Sequence, residues 1–520
     1  MIDKYLNNRF YTLYLIPFLI GALTTLSFQP FNFIIINLII FPIFFYLIVH
    51  INKKSKVVYR KKPYKKNFFL FGLFFGFGFY LSGISWIVNS LTFEENFKIL
   101  IPFALILIPL FLSLFIAITT LIIGPHLKMN FFSIIVFSGS LAFSDYLRAK
   151  LLTGFPWNLW AYSTSWAGEI LQILNIIGLH SYNLLVITFF TLPAIFFFQI
   201  GLIKKVIYLF FTGSIILCLY IFGNYEINKN KEFIDKLNDK IFVKIISPNF
   251  ELKYGLSEEE IIMRLKKLIK ISDPNKNKKT LFVWPEGVFS GYSYKEILPF
   301  KKIISENFSN EHFIIFGSNK LEPVSGNFYN SMLLVNNNFE IIKRYDKRKL
   351  VPFGEFLPFE SFFNRLGLKK ITEGHGSFLK GNKEANLKIG GINLLPLICY
   401  EVIFTEFIQR SGDETNLIIN VSEDGWFGSS IGPDQHFAKS IFRAIENNTF
   451  FLRSANKGIS AIIDNKGNVV KKLNRNEAGS IEFDIPLIKS NKIKNDLIFF
   501  ALLITYLFIF FIYKKKNAKQ

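Results

Sequence analysis

Two cysteines stand in 520 residues, and they fall in different kinds of sequence. Cys218 lies in an apolar run, whereas Cys399 is the only cysteine in the polar stretch 224–495. Neither has a disulfide partner in its own segment, and paired Cys/His metal spacing is absent as well. The chain also lacks a GxGxxG turn and a P-loop, the two common phosphate-cradling motifs. No internal repeat and no Pro-rich or Ser-rich linker occurs. Acidic residues are scarce too: 38 Asp and Glu face 60 Lys and Arg, a formal charge of +22.

What is abundant is apolar sequence. Hydrophobic residues make up 51% of the chain, with 63 Phe, and they are gathered into blocks. Stretches near the 20 or so residues a membrane span needs run over Phe10–Phe28, Phe31–His50, Phe68–Val88, Ile99–Gly124, Phe131–Leu147, Tyr182–Ile200, Val206–Gly223 and Leu497–Tyr513. Eight spanning helices are expected. The fifth stretch is interrupted by Ser138, Ser140, Ser144 and Asp145, but the distribution of charge requires it. Phe10–Phe28 has a long apolar core and no Ala-x-Ala site after it, so it reads as a retained helix and not a signal peptide.

With the N-terminus in the cytoplasm, eight spans put Lys4, Arg9, the basic run Lys53–Lys66, Lys128, Lys204, Lys205, Lys514, Lys515, Lys516 and Lys519 inside, 17 cations in all. The opposite short loops carry Lys98, Arg148 and Lys150. This bias predicts cytoplasmic termini and places 224–495 outside the cytoplasm. The expected organisation is a seven-helix membrane domain over 1–223, an extracytoplasmic domain over 224–495, and a last helix with a basic tail over 496–520. The outer domain has 40 Lys and Arg against 32 Asp and Glu, a balance of +8, and the membrane part carries the other +14. That pattern describes topology and anionic lipid headgroups, not a nucleic-acid partner.

Within 224–495, strand-like runs at Ile241–Ile246, Thr280–Trp284, His312–Gly317, Ser331–Val335, Ile392–Ile398, Asn416–Val421 and Gly458–Asp464 alternate with amphipathic helices at Ser257–Ile271 and Asp434–Glu446. Ser257-Glu258-Glu259-Glu260 is a capping box, and Asn336-Asn337-Asn338 joins two strand-like runs as a hairpin. The alternation predicts one α/β domain whose sheets are covered by helices. Three polar residues stand at strand ends: Glu286 after Phe282-Val283-Trp284-Pro285, Lys347 after Tyr345-Asp346, and Cys399 after Leu397-Ile398. Singly, each has a bland role, as a turn residue, a solvated cation and a core cysteine. Together they supply a thiol, a base to ionise it and a cation to hold the thiolate and an oxyanion.

The order Glu286, Lys347, Cys399 resembles the carbon-nitrogen hydrolase (nitrilase) superfamily, which implies a Glu-Lys-Cys triad in an αββα sandwich. Several motifs narrow the resemblance: Gly154-Phe155-Pro156-Trp157, Leu350-Val351-Pro352-Phe353-Gly354-Glu355, Ile398-Cys399-Tyr400-Glu401, Trp426-Phe427-Gly428 and Gly432-Pro433-Asp434-Gln435-His436. With the membrane spans, they make the chain similar to the bacterial apolipoprotein N-acyltransferase family. The resemblance implies an inner-membrane, multi-pass enzyme with its catalytic domain on the periplasmic side. It would need no cofactor and no metal.

By the same resemblance Cys399 takes an acyl chain from a membrane phospholipid, Glu286 removes the thiol proton, and Lys347 and the Tyr400 N–H hold the oxyanion. Glu355 would orient the lysine or the base, and Asn330 would lie near the acyl site. Glu401 follows Cys-Tyr, where a helix N-terminus explains it equally well. Trp157, Tyr254, Trp426 and Phe427 would contact lipid, and diacylated apolipoproteins would be the acceptors. The chain departs from the family pattern at three places: Tyr254 stands where Trp is usual, Glu423-Asp424 where Asn-Asp is usual, and Asn448-Thr449 where Arg-Pro is common. Two rivals stay open, an anchored amidase that delivers the same acyl-enzyme to water and a transporter with an external binding domain.

Overall fold

The structure, a computed structural model, describes residues 6, 8–58, 64–358, 377–382, 386–407, 415–490 and 496–517. Residues 59–63 of the basic run and Lys519 of the tail lie outside the described residues. The chain divides into two units, one of Met1–Val88, Lys98–Glu226 and Lys494–Gln520, the other of Asn89–Phe97 and Ile227–Ile493.

The first unit is helical. Helices occupy each of the eight expected places, among them Ile35–Val58, Tyr64–Ile84, Ile101–Ile123, Phe131–Lys150, Leu174–Thr191, Leu202–Asp235 and Asp496–Asn517. Among the described residues five segments are long and apolar enough to cross a membrane: Ile35–Lys54, Lys65–Thr92, Glu95–His126, Leu174–Phe197 and Leu202–Asp235. Tyr11–Ser27 and Asp496–Ile512 are shorter apolar helices. In Phe131–Lys150 the polar residues have buried partners: Arg148 donates to Asp145 at 2.9 Å, and Asn183 donates to the other oxygen of Asp145 at 2.9 Å. Small residues let helices meet backbone to backbone. A Cβ on Gly21 would fall 2.1 Å from the Phe75 carbonyl oxygen, and one on Gly78 would fall 2.0 Å from that of Phe18.

Among the described residues the second unit is built on two six-stranded sheets. The first takes β1 (Lys240–Ser247), β2 (Thr280–Val283), β3 (His312–Leu321), β4 (Phe328–Val335), β5 (Ile341–Asp346) and β12 (Gly479–Pro486) in the order β12-β1-β2-β3-β4-β5. The second takes β6 (Leu387–Ile389), β7 (Ile392–Ile398), β8 (Leu417–Glu423), β9 (Phe450–Asn456), β10 (Ser460–Ile463) and β11 (Val469–Leu473) in the order β11-β10-β9-β8-β7-β6. Each has a parallel centre, β1-β2-β3 or β7-β8-β9, flanked by antiparallel strands.

Period-two alternation assigns the faces. Val243, Ile245, Leu281, Val283 and Ile315 pack with Leu394, Ile398, Leu417, Ile419 and Val421 between the sheets. Ile246, Phe282, Ile314 and Phe316 face outward onto Ile261, Leu265 and Leu268 of the helix Glu258–Ser272. That helix opens on the expected capping box of Ser257 and Glu260. The helix Gly432–Asn447 packs on β9, so helices cover both sheets and the layering is αββα. The Asn336–Asn338 hairpin joins β4 to β5 as expected. Each of the seven expected strands is present, with ends displaced by up to three residues and β3 running on to Leu321.

Candidate active site

The site lies where strands end. Glu286 comes three residues after β2, and Cys399 directly follows β7. Lys347 follows β5, and its N–H donates to the Asn330 carbonyl of β4 at 2.8 Å. The open end of a parallel sheet is where the backbone is free to turn and present side chains. Two backbone features fit that end. Cys399 sits at φ +47°, a left-handed conformation that costs a non-glycine residue about 1–2 kcal/mol. Gly287, at φ +72°, leaves room for Glu423, since a Cβ there would stand 2.7 Å from the Glu423 Oε2 atom.

A buried polar network ties Glu286, Asn330, Lys347 and Glu355 together. Asn330 Nδ2 donates to Glu286 Oε1 at 2.8 Å and to Glu355 Oε1 at 2.7 Å. Lys347 Nζ, on a side chain only 1% exposed, donates to Glu355 Oε1 at 2.8 Å and stands 4.0 Å from Glu286 Oε1. The Val351 N–H closes on Glu355 Oε2 at 2.9 Å, so the loop carrying Glu355 is fixed by the carboxylate it supplies. The Glu423 N–H donates to Glu286 Oε2 at 3.1 Å. Glu401 is fully buried and acts as a staple. It accepts from the N–H groups of Ile398, Arg348 and Lys349 at 2.8, 2.7 and 3.1 Å and from Tyr345 Oη at 2.9 Å, which joins the Cys399 turn to the Lys347 loop.

Electrostatics set the resting state. Burial would lower Lys347, but the charges of Glu355, Glu286 and Cys399 outweigh it and hold the ammonium protonated. Burial and the Glu286 charge push the Cys399 thiol up, against the pull of Lys347. Glu286 is also raised, by burial first, with Lys347 and the Asn330 hydrogen bond opposing. The resting thiol therefore keeps its proton, and a carboxylate of raised affinity waits to receive it. A raised proton affinity on the carboxylate is what a general base requires.

A second buried cluster, not foreseen from the sequence, lies behind the thiol. Asp424 accepts from Arg453 Nη2 at 2.7 and 3.0 Å and from Ser422 Oγ at 2.7 Å, with His436 Nδ1 3.0 Å away. Arg453 belongs to β9, a strand the pattern did not reveal because Arg453 and Asn456 interrupt its apolar run. Among the described residues no group of three or more His, Cys, Asp or Glu is placed to hold a metal ion.

The aromatic residues separate. Trp426 lies 6.3 Å from Tyr254 and 5.0 Å edge-on from Phe93, and Phe427 is buried with its ring 5.4 Å from His436. Phe93 comes from Asn89–Phe97, a segment between two membrane-type helices that packs within the catalytic unit; there Asn89 Nδ2 donates to the Phe427 carbonyl at 2.6 Å. Trp157 belongs to the helical unit. It is 1% exposed and packs on Trp86 at 4.5 Å and Phe155 at 6.1 Å, so in this structure its ring faces protein.

Comparison with known proteins agrees with both halves. The carbon-nitrogen hydrolase family model matches residues 248–494, and the model of the apolipoprotein N-acyltransferase N-terminal domain matches residues 20–192. A solved structure of Saccharomyces cerevisiae Nit3, a nitrilase-superfamily protein, is 18% identical and covers 48% of this chain and 91% of that chain, at a TM-score of 0.35. The apolipoprotein N-acyltransferase of Rickettsia typhi is 32% identical over 514 residues, 96% of this chain and 97% of the relative. That of Brucella melitensis is 30% identical over 491 residues, 91% of this chain and 89% of the relative. Since these relatives are matched across the helical unit and the sandwich together, the chain belongs to the apolipoprotein N-acyltransferase family.

Proposed function

We propose that this chain moves an acyl group from a membrane phospholipid to the α-amino group of the N-terminal S-diacylglyceryl cysteine of apolipoproteins, through a thioester on Cys399. In the first half-reaction Cys399 Sγ attacks the ester carbonyl as Glu286 takes the thiol proton. Lys347 and the Tyr400 N–H face the oxyanion. Collapse breaks the ester C–O bond, and lysophospholipid leaves with the proton Glu286 held. In the second half the α-amino group attacks the thioester, Glu286 takes a proton from nitrogen, the C–S bond breaks, and the proton returns to sulfur. Ester becomes thioester and then amide, the most stable of the three.

The observation that carries this reading is the Glu286–Asn330–Glu355–Lys347 network beside the Cys399 turn. Its parts fall into roles: Glu355 and Asn330 position, Glu401 staples, and Tyr254, Trp426 and Phe427 supply apolar contact for acyl chains. The membrane arrangement is read as eight spans, with Tyr11–Ser27, Phe131–Lys150 and Asp496–Ile512 joining the five long ones. Both termini then lie in the cytoplasm and the sandwich on the periplasmic side of the inner membrane. The excess of 17 cations over 3 supports that orientation.

The test uses detergent-solubilised protein and a phospholipid with a labelled acyl chain. Hydroxylamine-sensitive label is expected on the wild type and none on Cys399→Ala; label that persists in the variant overturns the nucleophile. A diacylated lipopeptide should then discharge the label as a triacylated product. Release only as free fatty acid would mark an amidase.

A further inference from the structure

His436 is wholly buried, and its Nε2 lies 3.3 Å from the carbonyl oxygen of Cys399. A carbonyl oxygen only accepts, so this nitrogen carries the hydrogen. The other ring nitrogen is 3.0 Å from Arg453 Nη2, a guanidinium nitrogen that only donates. A neutral ring with its hydrogen on Nε2 satisfies both contacts; its bare Nδ1 and Asp424 Oδ1, 3.0 Å apart, then share Arg453 Nη2 as their common donor. Burial and the Arg453 charge outweigh Asp424 and lower the His436 pKa to about 4. Arg453 is itself held, by Asp424 at 2.7 and 3.0 Å, by the Ile459 carbonyl at 3.2 Å and by Asn420 Oδ1. Asn420 then donates to the Leu397 carbonyl at 3.0 Å, two residues before the nucleophile.

The Cys399 carbonyl and the Tyr400 N–H belong to one planar trans peptide, so fixing the oxygen fixes the N–H on the opposite side. This peptide needs fixing, because Cys399 sits in the left-handed region where a non-glycine residue is strained. We infer that His436, held by Arg453, which Asp424 clamps in turn, is the positioning residue that orients the Cys399–Tyr400 peptide plane and so aims the Tyr400 N–H at the oxyanion. The inference rests on the reading of Cys399 as nucleophile. It gives the buried Asp424–His436–Arg453 cluster a role in geometry and none in proton transfer.

The discriminating measurement compares two reactions of the same thiol in full-length solubilised protein. Acylation by labelled phospholipid passes through an oxyanion; alkylation by iodoacetamide displaces iodide and forms none. His436→Leu should slow acylation about 100-fold, the usual cost of one oxyanion donor, and change alkylation by no more than about 3-fold. His436→Gln keeps an N–H donor and should recover at least about 10-fold of the acylation lost in the leucine variant. Acylation within about 3-fold of wild type in His436→Leu overturns the inference. So does a glutamine variant that alkylates normally yet acylates as slowly as the leucine one. If His436→Leu fails to fold, seen as a lost melting transition, the glutamine variant decides by the same comparison. Failure of the parent reading looks different: the wild type itself would hold no thioester label, or Cys399→Ala would keep it.

Discussion

Lys347 is bound to Glu355, at 2.8 Å, and not to Glu286, whose nearest oxygen is 4.0 Å away. In the proposed reaction the cation is thus anchored by a carboxylate that takes no part in proton transfer, and Glu286 keeps neutral donors, Asn330 and the Glu423 N–H, as its close partners. Had Lys347 closed on Glu286, it would have stabilised the carboxylate and weakened it as a base. Glu355→Gln removes the anchoring charge and leaves Glu286 as the nearest anion for the buried ammonium. Thioester formation should fall by at least about 100-fold, the scale for loss of preorganised electrostatics. The initial rate of label incorporation measures this, and a loss below about 5-fold would show that Lys347 is positioned by something else.

The pH dependence follows from Glu286. Burial raises its carboxyl above the usual 4.5, and the base works only when ionised, so the acid limb of kcat/KM should lie above 4.5. The Asn330 hydrogen bond favours the ionised form. Asn330→Ala should therefore move the limb further up as well as slow the reaction. Acylation rates on a pH series check both points. A wild-type limb at or below 4.5, or a downward move in the variant, would mean that another group sets the limb.

Glu401 makes four hydrogen bonds from one buried carboxylate, three of them with backbone N–H groups on either side of the site. In Glu401→Gln one oxygen becomes an NH2 facing a donor, which leaves a buried polar group unsatisfied at a cost of about 1–3 kcal/mol. The melting temperature should drop by several degrees, and acylation should fall with it because the nucleophile turn and the lysine loop lose their common anchor. A variant with unchanged melting and unchanged rate would reduce Glu401 to a helix-terminal residue, the bland role its place after Cys-Tyr allows.

Much of this was legible in the sequence, for physical reasons that differ by element. Strands β1, β2, β3, β7 and β8 are buried on both faces and read as apolar runs, and Glu286 and Cys399 are conspicuous because each ends such a run. β9 carries Arg453 and Asn456 among its buried residues, β11 carries Lys471 and Lys472, and β12 alternates with charge, so none has a continuous apolar signal. The cluster behind Cys399 unites Asn420 of β8, Asp424 just after it, His436 of the helix Gly432–Asn447 and Arg453 of β9, which meet through the β8–β9 pairing and the packing of that helix on β9. The Asn89–Phe97 segment misled in another way. Its flanks are membrane-type, and nothing in its composition announces that Asn89 reaches the Phe427 carbonyl.

Glu423 stands where the family pattern has Asn, and the structure shows how a carboxyl is accommodated there. Oε1 accepts from the Gly425 N–H at 2.8 Å, and Oε2 accepts from Asn456 Nδ2 at 2.8 Å, with Glu286 and Asp424 close enough to repel a negative charge. Burial, reinforced by those two anions, raises the carboxyl from 4.5 to about 8. At neutral pH it is mostly protonated, and so it resembles the neutral amide it replaces. A group whose folded-state pKa is raised contributes stability in full below its unfolded value and loses it as pH rises through the folded one. The window here is therefore from 4.5 to about 8. Glu423→Gln abolishes the titration, so the melting temperature of the variant relative to wild type should rise from about pH 5 to about pH 8 and level off above, whatever the offset at the acid end. A difference that stays flat, or falls as pH rises, would mean that Glu423 is ionised in the folded protein, and Glu286 would then work beside a second negative charge.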